Sequence, residues 1–126
     1  MRNKTIIFSL FAVLISMIAC GGNSDLDQAA RELVDTLAEE NFAETVKTFD
    51  ATMSESFPAE KLEEVWTKLQ EQVGTFEKQL SVRREKYDQY DIVFVTCKFS
   101  KAILDVKVVY NSKKQVVGLF LVPTTS

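Results

Sequence analysis

The chain contains no histidine, and only two cysteines, two prolines and four glycines occur among its 126 residues. Without histidine, neither a Ser-His-Asp nor a Cys-His nucleophile system can be built, and no metal site can use an imidazole ligand. The glycines are scattered and form no phosphate-binding loop. Two cysteines supply neither a disulfide framework nor a thiolate cage. The sequence therefore predicts no catalytic residues, no metal and no cofactor.

Runs of basic residues are also missing. Lysine and arginine number 15 against 18 acidic residues, so the formal net charge is −3. Loss of residues 1–19 would remove Arg2 and Lys4 and lower the net charge to −5. A net-negative domain without a basic run is poorly suited to nucleic acid or to anionic lipid headgroups. We therefore expect no nucleic-acid partner.

The N-terminal apolar run is too short for a typical membrane span. Residues 5–19 are 15 uncharged residues that follow Arg2 and Lys4, whereas a transmembrane helix needs about 20. This pattern is typical of a signal peptide. The next residue completes "MIAC", which resembles a lipoprotein box and implies that Cys20 receives a diacylglyceryl thioether and begins the mature chain. An uncleaved anchor helix and an ordinary secreted protein are the alternatives.

This interpretation predicts the segment boundaries of the chain and its location in the cell. Residues 1–19 are expected to be a lipoprotein signal peptide, and residues 20–24 a lipidated cysteine with a short tether. A single domain over residues 25–123 and a tail over 124–126 follow. The protein is then expected in the cell envelope, on the extracytoplasmic side, with the membrane as a partner through the Cys20 lipid. Two or more acyl chains hold a protein stably on a bilayer.

The first half of the domain has helical periodicity. Leu26, Ala29, Ala30, Leu33, Val34 and Leu37 form one stripe of a helix that Ser24 is expected to cap. A second, short helix is predicted after Asn41. A third is predicted to begin near Pro58 and to end at Gly74, because proline suits a first helical turn and glycine suits a helix end.

After Gly74 the hydrophobic period changes from 3.6 to 2. Four β-branched and aromatic runs follow, separated by the turn-like segments "KYDQYD", "SK" and "NSKKQ". The pattern predicts an α+β fold, in which three N-terminal helices pack on one face of a four-stranded antiparallel meander.

The other face of that sheet is expected to carry several apolar residues. Ile92, Phe94, Ile103 and Val109 have the wrong parity for the helix-covered face, as does either Leu119 or Phe120. Cover by an envelope protein or by a second copy of the chain is one interpretation. Strand curvature that wraps these residues into a single core is the other.

An apolar cavity between the helices and the sheet is a further hypothesis. Such a pocket would bind an apolar ligand and would be lined by Phe49, Met53, Phe57, Trp66 and Phe76. The alternative is that Trp66, which lies in the apolar stripe of the third helix, is simply part of the core.

Taken in order, several short stretches resemble the family called domain of unknown function 3887. They are "NF" at 41–42, "FDATM" at 49–53, "LEEVWTKL" at 62–69, "GTF" at 74–76, Phe99 and "GLFLVP" at 118–123. The resemblance covers nearly the whole mature chain. It implies a curved sheet with packed helices, similar to nuclear transport factor 2-like and cystatin-like domains. Members occur alone behind lipoprotein signals or ahead of α/β-hydrolase domains, and no hydrolase sequence is present here.

Together these observations predict a membrane-anchored envelope lipoprotein with a small, non-enzymatic binding domain. One alternative is an accessory domain for a separately encoded envelope α/β-hydrolase. Another is a small isomerase- or dehydratase-type enzyme, because folds of the resembled superfamily use tyrosine and aspartate at an apolar cavity. The only such cluster is "YDQYD" at 87–91, and a turn of this composition needs no catalytic explanation.

Overall fold

Four helices precede four strands in the computed structural model, which describes residues 22–124, with side chains from Asp25 onward. The elements are α1 (Gly22–Ala38), α2 (Phe42–Val46), α3 (Ala51–Ser56), α4 (Ala59–Val73), β1 (Phe76–Tyr87), β2 (Tyr90–Phe99), β3 (Ile103–Tyr110) and β4 (Val116–Pro123). The predicted α+β class is confirmed, with one short helix more than expected. No helix among these residues is long and apolar enough to cross a membrane.

Helix α1 lies on the sheet through the stripe that the sequence predicts. Leu26, Ala30, Leu33, Val34 and Leu37 are all at most 5% exposed. The helix begins at Gly22, so Ser24 lies inside it and is not its N-cap. Only Gly21 then separates Cys20 from the first helical residue in the sequence. Cys20 itself lies outside the described residues.

The additional helix is α3. Its N-cap is Asp50, whose Oδ1 accepts a hydrogen bond from the Met53 N–H at 2.8 Å. This is the usual capping interaction of an aspartate. No helix was predicted for this segment, because α3 is too short to show a full apolar stripe and contains no buried residue.

Helix α4 begins and ends as predicted. Pro58 occupies its N-cap position, and Gly74 follows Val73 with a φ of 90°. A Cβ at Gly74 would also clash with Ser100 Oγ. Glycine is therefore required there both by the backbone angle and by the close approach of the β2–β3 turn.

The sheet is an antiparallel meander with strand order β1-β2-β3-β4. Its first strand contains two irregularities, between Phe76 and Lys78 and between Gln79 and Ser81. The second changes the alternation, so that Leu80 does not share the core face with Val82 and is 45% exposed. Gln79 faces α1 instead, and its Nε2 donates to Arg31 O and Asp35 Oδ1, both at 3.0 Å.

One hydrophobic core lies between the helices and the inner face of the sheet. Trp66 of α4 is its largest member, with ring centroids 5.9 Å from Phe99 and 6.4 Å from Phe76. The sheet contributes Val93, Val95, Cys97, Phe99, Val106, Val108, Tyr110 and Val116, each at most 2% exposed. The helical layer therefore covers most of one sheet face, on which Val82, Leu104, Leu119 and Leu121 stay partly exposed, and leaves the outer face as the candidate site.

Candidate functional site

A row of alternating cationic and aromatic side chains crosses the outer face of the sheet. The strand register aligns Arg83 with Phe94, Phe94 with Lys107, and Lys107 with Phe120. Arg83 Cζ lies 3.9 Å from the Phe94 ring centroid, and Lys107 Nζ lies 5.9 Å from Phe94 and 5.5 Å from Phe120. These distances are within the range of cation–π interactions. The cations thus cover part of an apolar surface without removing their charge from solvent.

The four residues expected on this face do lie there, but to different depths. Phe94 is only 8% exposed because Arg83 covers it, whereas Ile103 is 48% exposed. Ile92 and Val109 are half-buried. None of the four joins the core cluster, so curvature does not wrap them into one core. Cover of the remaining apolar area by a partner stays a prediction.

Of Leu119 and Phe120, it is Phe120 that points outward. Leu119 packs against the core, and Phe120 is 50% exposed on the outer face. The Phe120 ring lies over Gly118, where an added Cβ would come within 3.0 Å of Phe120 Cε2. The ring therefore occupies the space that a side chain at residue 118 would fill.

Asp105 is a buried carboxylate on the same face, next to the cationic and aromatic row. It is 1% exposed. Thr96 Oγ1 donates to its Oδ1 at 2.6 Å, Thr124 Oγ1 does so at 3.3 Å, and Arg83 Nη2 lies 3.4 Å from its Oδ2. A buried carboxylate is stable only when it is paired and hydrogen-bonded in this way. Strand parity places Arg83, Thr96 and Asp105 on the same face, but only the register between strands brings them together, so this cluster was not predicted from the sequence.

The five residues predicted to line an apolar pocket are divided between two places. Phe49 and Trp66 are at most 7% exposed and belong to the core, against which Phe76 packs. Met53 and Phe57 line an open depression of about 500 Å³ beside α3, together with Asp50, Thr52, Ser56, Tyr90 and Val117. The expected pocket residues therefore do not share one cavity lining.

Trp66 carries an unusual feature for a core residue. Its indole Nε1 is buried and has no hydrogen-bond partner among the described residues. Buried indole N–H groups normally find an acceptor. Trp66 does not line the depressions described here.

Cys97 is a buried, protonated thiol. It is 0% exposed, and burial, reinforced by the negative charge of Asp105, raises its pKa to about 12. Burial likewise raises the pKa of Tyr110, and Glu32 adds to that effect. A thiol that stays protonated at neutral pH is a poor nucleophile. Cys97 therefore acts as a small apolar residue of the core.

The "YDQYD" cluster lies at the β1–β2 turn. Tyr87 is 71% exposed. Asp91 lies 3.4 Å from Lys86 and 3.9 Å from Arg84, and Arg84 also pairs with Asp27 at 3.3 Å. An open, charged depression is lined by Asp27, Arg84, Glu85, Lys86 and Asp91. Within residues 22–124, no three Cys, Asp or Glu side chains are grouped closely enough to hold a metal ion.

Charge is divided unequally between the two layers of the fold. Residues 22–73, which form the helices, carry 4 basic and 13 acidic side chains, a net charge of −9. Residues 74–124, which form the sheet, carry 9 basic and 5 acidic side chains, a net charge of +4. The low overall charge thus hides an acidic helical layer and a basic sheet.

Comparison with known proteins identifies a family but no characterised relative. Residues 30–119 match the family described as "Protein of unknown function (DUF3887)". Neither the curated proteins nor the solved structures yield a match. The matched segment runs from the middle of α1 into β4 and includes the cationic and aromatic residues of the outer face except Phe120. The chain therefore belongs to the DUF3887 family.

Proposed function

We propose that this chain is a lipoprotein of the cell envelope whose folded domain is a non-enzymatic binding module. The lipid on Cys20 anchors the protein, and the outer face of the sheet binds a partner. The observation that carries the binding role is the exposure of two apolar residues, Phe120 at 50% and Ile103 at 48%, on a sheet face that none of the described helices covers.

The anchoring part of the proposal is supported by sequence and by the position of α1. The segment "MIAC" that resembles a lipoprotein box ends at Cys20, and α1 begins two residues later at Gly22. With so short a connection, a lipid on Cys20 holds the domain close to the bilayer surface. The acyl chains supply the membrane affinity, so the acidic helical layer needs no attraction to headgroups.

The composition of the outer face supports a binding role. Interfaces favour aromatic and arginine side chains around an apolar centre, and this face combines Arg83, Phe94 and Phe120 with the buried carboxylate of Asp105. Arg83 is held in place by Phe94, Glu85 and Asp105. An ordered cation of this kind loses little conformational entropy when a partner binds.

Replacement of Cys20 tests the anchor. We expect Cys20→Ser to abolish labelling of the chain by radioactive palmitate and to leave the precursor uncleaved, because the thioether cannot form. Labelling on intact cells, followed by gel electrophoresis, measures both effects. The matched control is Cys97→Ser, which changes the other cysteine of the chain and should leave labelling intact. Unchanged processing of the Cys20→Ser chain would refute the anchor.

A photo-cross-linker at Ile103 tests the binding role. Benzoylphenylalanine at this half-exposed position should form a discrete protein adduct in intact cells, seen as a shifted band on an immunoblot. Val65, 42% exposed on α4 in the opposite layer, is the control position and should give no discrete adduct. Equal labelling at both positions, or no adduct at Ile103, would contradict a binding site on the outer face.

A further inference from the structure

The two edges of the sheet differ in charge. The edge strand β1 contains Glu77, Lys78, Arg83, Arg84, Glu85 and Lys86, and it has two register irregularities. Charged side chains and bulges are the usual means by which an edge strand avoids pairing with another chain. The opposite edge strand, β4, has the sequence "VVGLFLVP" and no charged residue at all. Only one edge of the sheet is therefore protected.

The start of the β4 edge is already occupied by the chain itself. The Val116 N–H donates to Thr48 O at 2.9 Å, and Val116 O accepts from the Asp50 N–H at 3.0 Å. Within the described part of the chain, Val116 is the one β4 residue that forms backbone hydrogen bonds across this edge. The open part of the edge therefore runs over residues 117–123.

Strand geometry identifies the backbone groups that are directed toward the open edge. Residues whose side chains lie on one face of a strand direct their N–H and C=O groups to the same edge. Val116 faces the core and directs its groups outward, and Leu119 and Leu121 face the core as well. Their N–H and C=O groups are therefore available to a further strand. Pro123 ends β4 and lacks an N–H that could continue such a ladder.

We propose that the open edge of β4 pairs antiparallel with β4 of a second copy of this chain, across a two-fold axis at Phe120. Val117 is the extra residue of an irregularity in the β3–β4 pairing, and the outward-directed residues beyond it are Leu119 and Leu121. An antiparallel pairing that uses both leucines is centred at residue 120. The Thr48–Asp50 segment blocks the edge on one side, and Pro123 ends the strand on the other. These two limits fix the register.

The side chains of this register complement one another. Phe120 lies opposite Phe120 of the second copy in a pair without backbone hydrogen bonds, where opposing side chains are closest. Leu119 pairs with Leu121 of the other copy, and each pair exchanges two N–H···O=C bonds. Gly118, which leaves room, lies opposite Val122. Because the strand carries no charge, the pairing brings no like charges together.

The pairing would also continue the row on the outer face. Phe94 has a cation on each side, Arg83 and Lys107, whereas Phe120 has only Lys107 at 5.5 Å. An aromatic partner on the open side of Phe120 would bury a ring that is now 50% exposed, and cross-strand aromatic pairs are stabilising. The pairing uses the β4 edge alone, so it goes beyond the binding site proposed around Ile103 and does not depend on the lipid.

Cysteine cross-linking of the full chain in its own membranes tests the pairing. A two-fold axis at residue 120 places residue 120 of one copy opposite residue 120 of the other. Their Cα atoms are then close enough for a disulfide. We expect Phe120→Cys to give a disulfide-linked homodimer on a non-reducing gel, at least tenfold more abundant than from Ile103→Cys. Ile103 is equally exposed on the same face but lies on β3. The unsubstituted chain controls for Cys20 and Cys97.

A second variant keeps the proposal testable if Phe120→Cys does not fold. Phe120→Asp places two carboxylates directly opposite each other and should convert a dimer to a monomer in light scattering of the detergent-solubilised full chain, whereas Ile103→Asp should leave it dimeric. The proposal is overturned if Phe120→Cys gives no dimer or no more than Ile103→Cys, or if the unsubstituted chain is monomeric. An adduct of Phe120→Cys with a different protein also overturns it, although the binding role would then survive.

Discussion

The two faces of the sheet are built from the same strands but are shielded from water in different ways. On the inner face, Val93, Val95, Val106 and Val108 are 0% exposed beneath the helices. On the outer face, Phe94 and Asp105 are 8% and 1% exposed, and only neighbouring side chains cover them. A side chain can thus be buried without a second layer, provided that long cations from adjacent strands fold over it.

The two modes of burial differ in energy. Burial beneath a helical layer removes whole aromatic and aliphatic side chains from water, each of which is worth about 1.5–3 kcal/mol. Burial beneath Arg83 and Lys107 depends on cation–π and hydrogen-bond interactions at a partly wet surface, where single interactions contribute about 1 kcal/mol. Substitutions on the inner face should therefore cost more than substitutions on the outer face.

The largest effect is expected for Trp66→Ala. Trp66 is 2% exposed and contacts Phe76 and Phe99, and removal of a buried tryptophan side chain leaves a cavity. We expect the free energy of unfolding to fall by about 3–5 kcal/mol. Urea unfolding followed by far-ultraviolet circular dichroism measures this, since the variant lacks the one tryptophan of the chain and cannot be followed by its fluorescence.

Val65→Ala is the matched control, because Val65 precedes Trp66 in α4 but is 42% exposed. Its effect should be below about 0.5 kcal/mol, as is usual for surface positions. A loss below about 1 kcal/mol for Trp66→Ala would show that the helical layer does not shield the inner face as described.

A smaller effect is expected on the outer face, for Asp105→Asn. The amide keeps the shape and can still accept from Thr96 but loses the charge that pairs with Arg83. We expect the free energy of unfolding to fall by about 1–3 kcal/mol, the range for hydrogen bonds that involve a charged group. Urea unfolding followed by Trp66 fluorescence provides the measurement.

Glu85→Gln tests whether burial strengthens an ion pair, since Glu85 and Asp105 pair with the same arginine. The Glu85 side chain is 56% exposed, against 1% for Asp105. An exposed ion pair contributes little, so Glu85→Gln should change stability by less than about 0.5 kcal/mol. Equal losses for both variants would mean that burial does not strengthen the Asp105 cluster.

Much of the fold could be predicted from hydrophobic periodicity. The α1 stripe, the end of α4 at Gly74 and the three turns of the meander are all confirmed, because each depends on neighbouring residues in the chain. The errors occurred where tertiary contacts override the local pattern. The irregularity between Gln79 and Ser81 exposes Leu80, and Gln79 turns toward α1, where it finds backbone and carboxylate acceptors.

Less of the candidate site could be predicted. Strand parity correctly placed Ile92, Phe94, Ile103 and Val109 on the outer face. It could not show that Arg83 lies over Phe94 or that Thr96 and Asp105 are adjacent, because these contacts depend on the register between strands. The difference between the β1 and β4 edges is visible in composition, but the open length of β4 depends on where residues 48–50 meet Val116.

Residue type and spacing along the chain were enough to predict the family, the α+β class, the alternation of the strands and the absence of histidine chemistry. The folded structure was needed to learn which apolar residues the helices cover, which ones lie beneath cations, and which part of an edge is left open. Those outcomes depend on which strands pair and in what register, and local periodicity does not specify the alignment of distant segments.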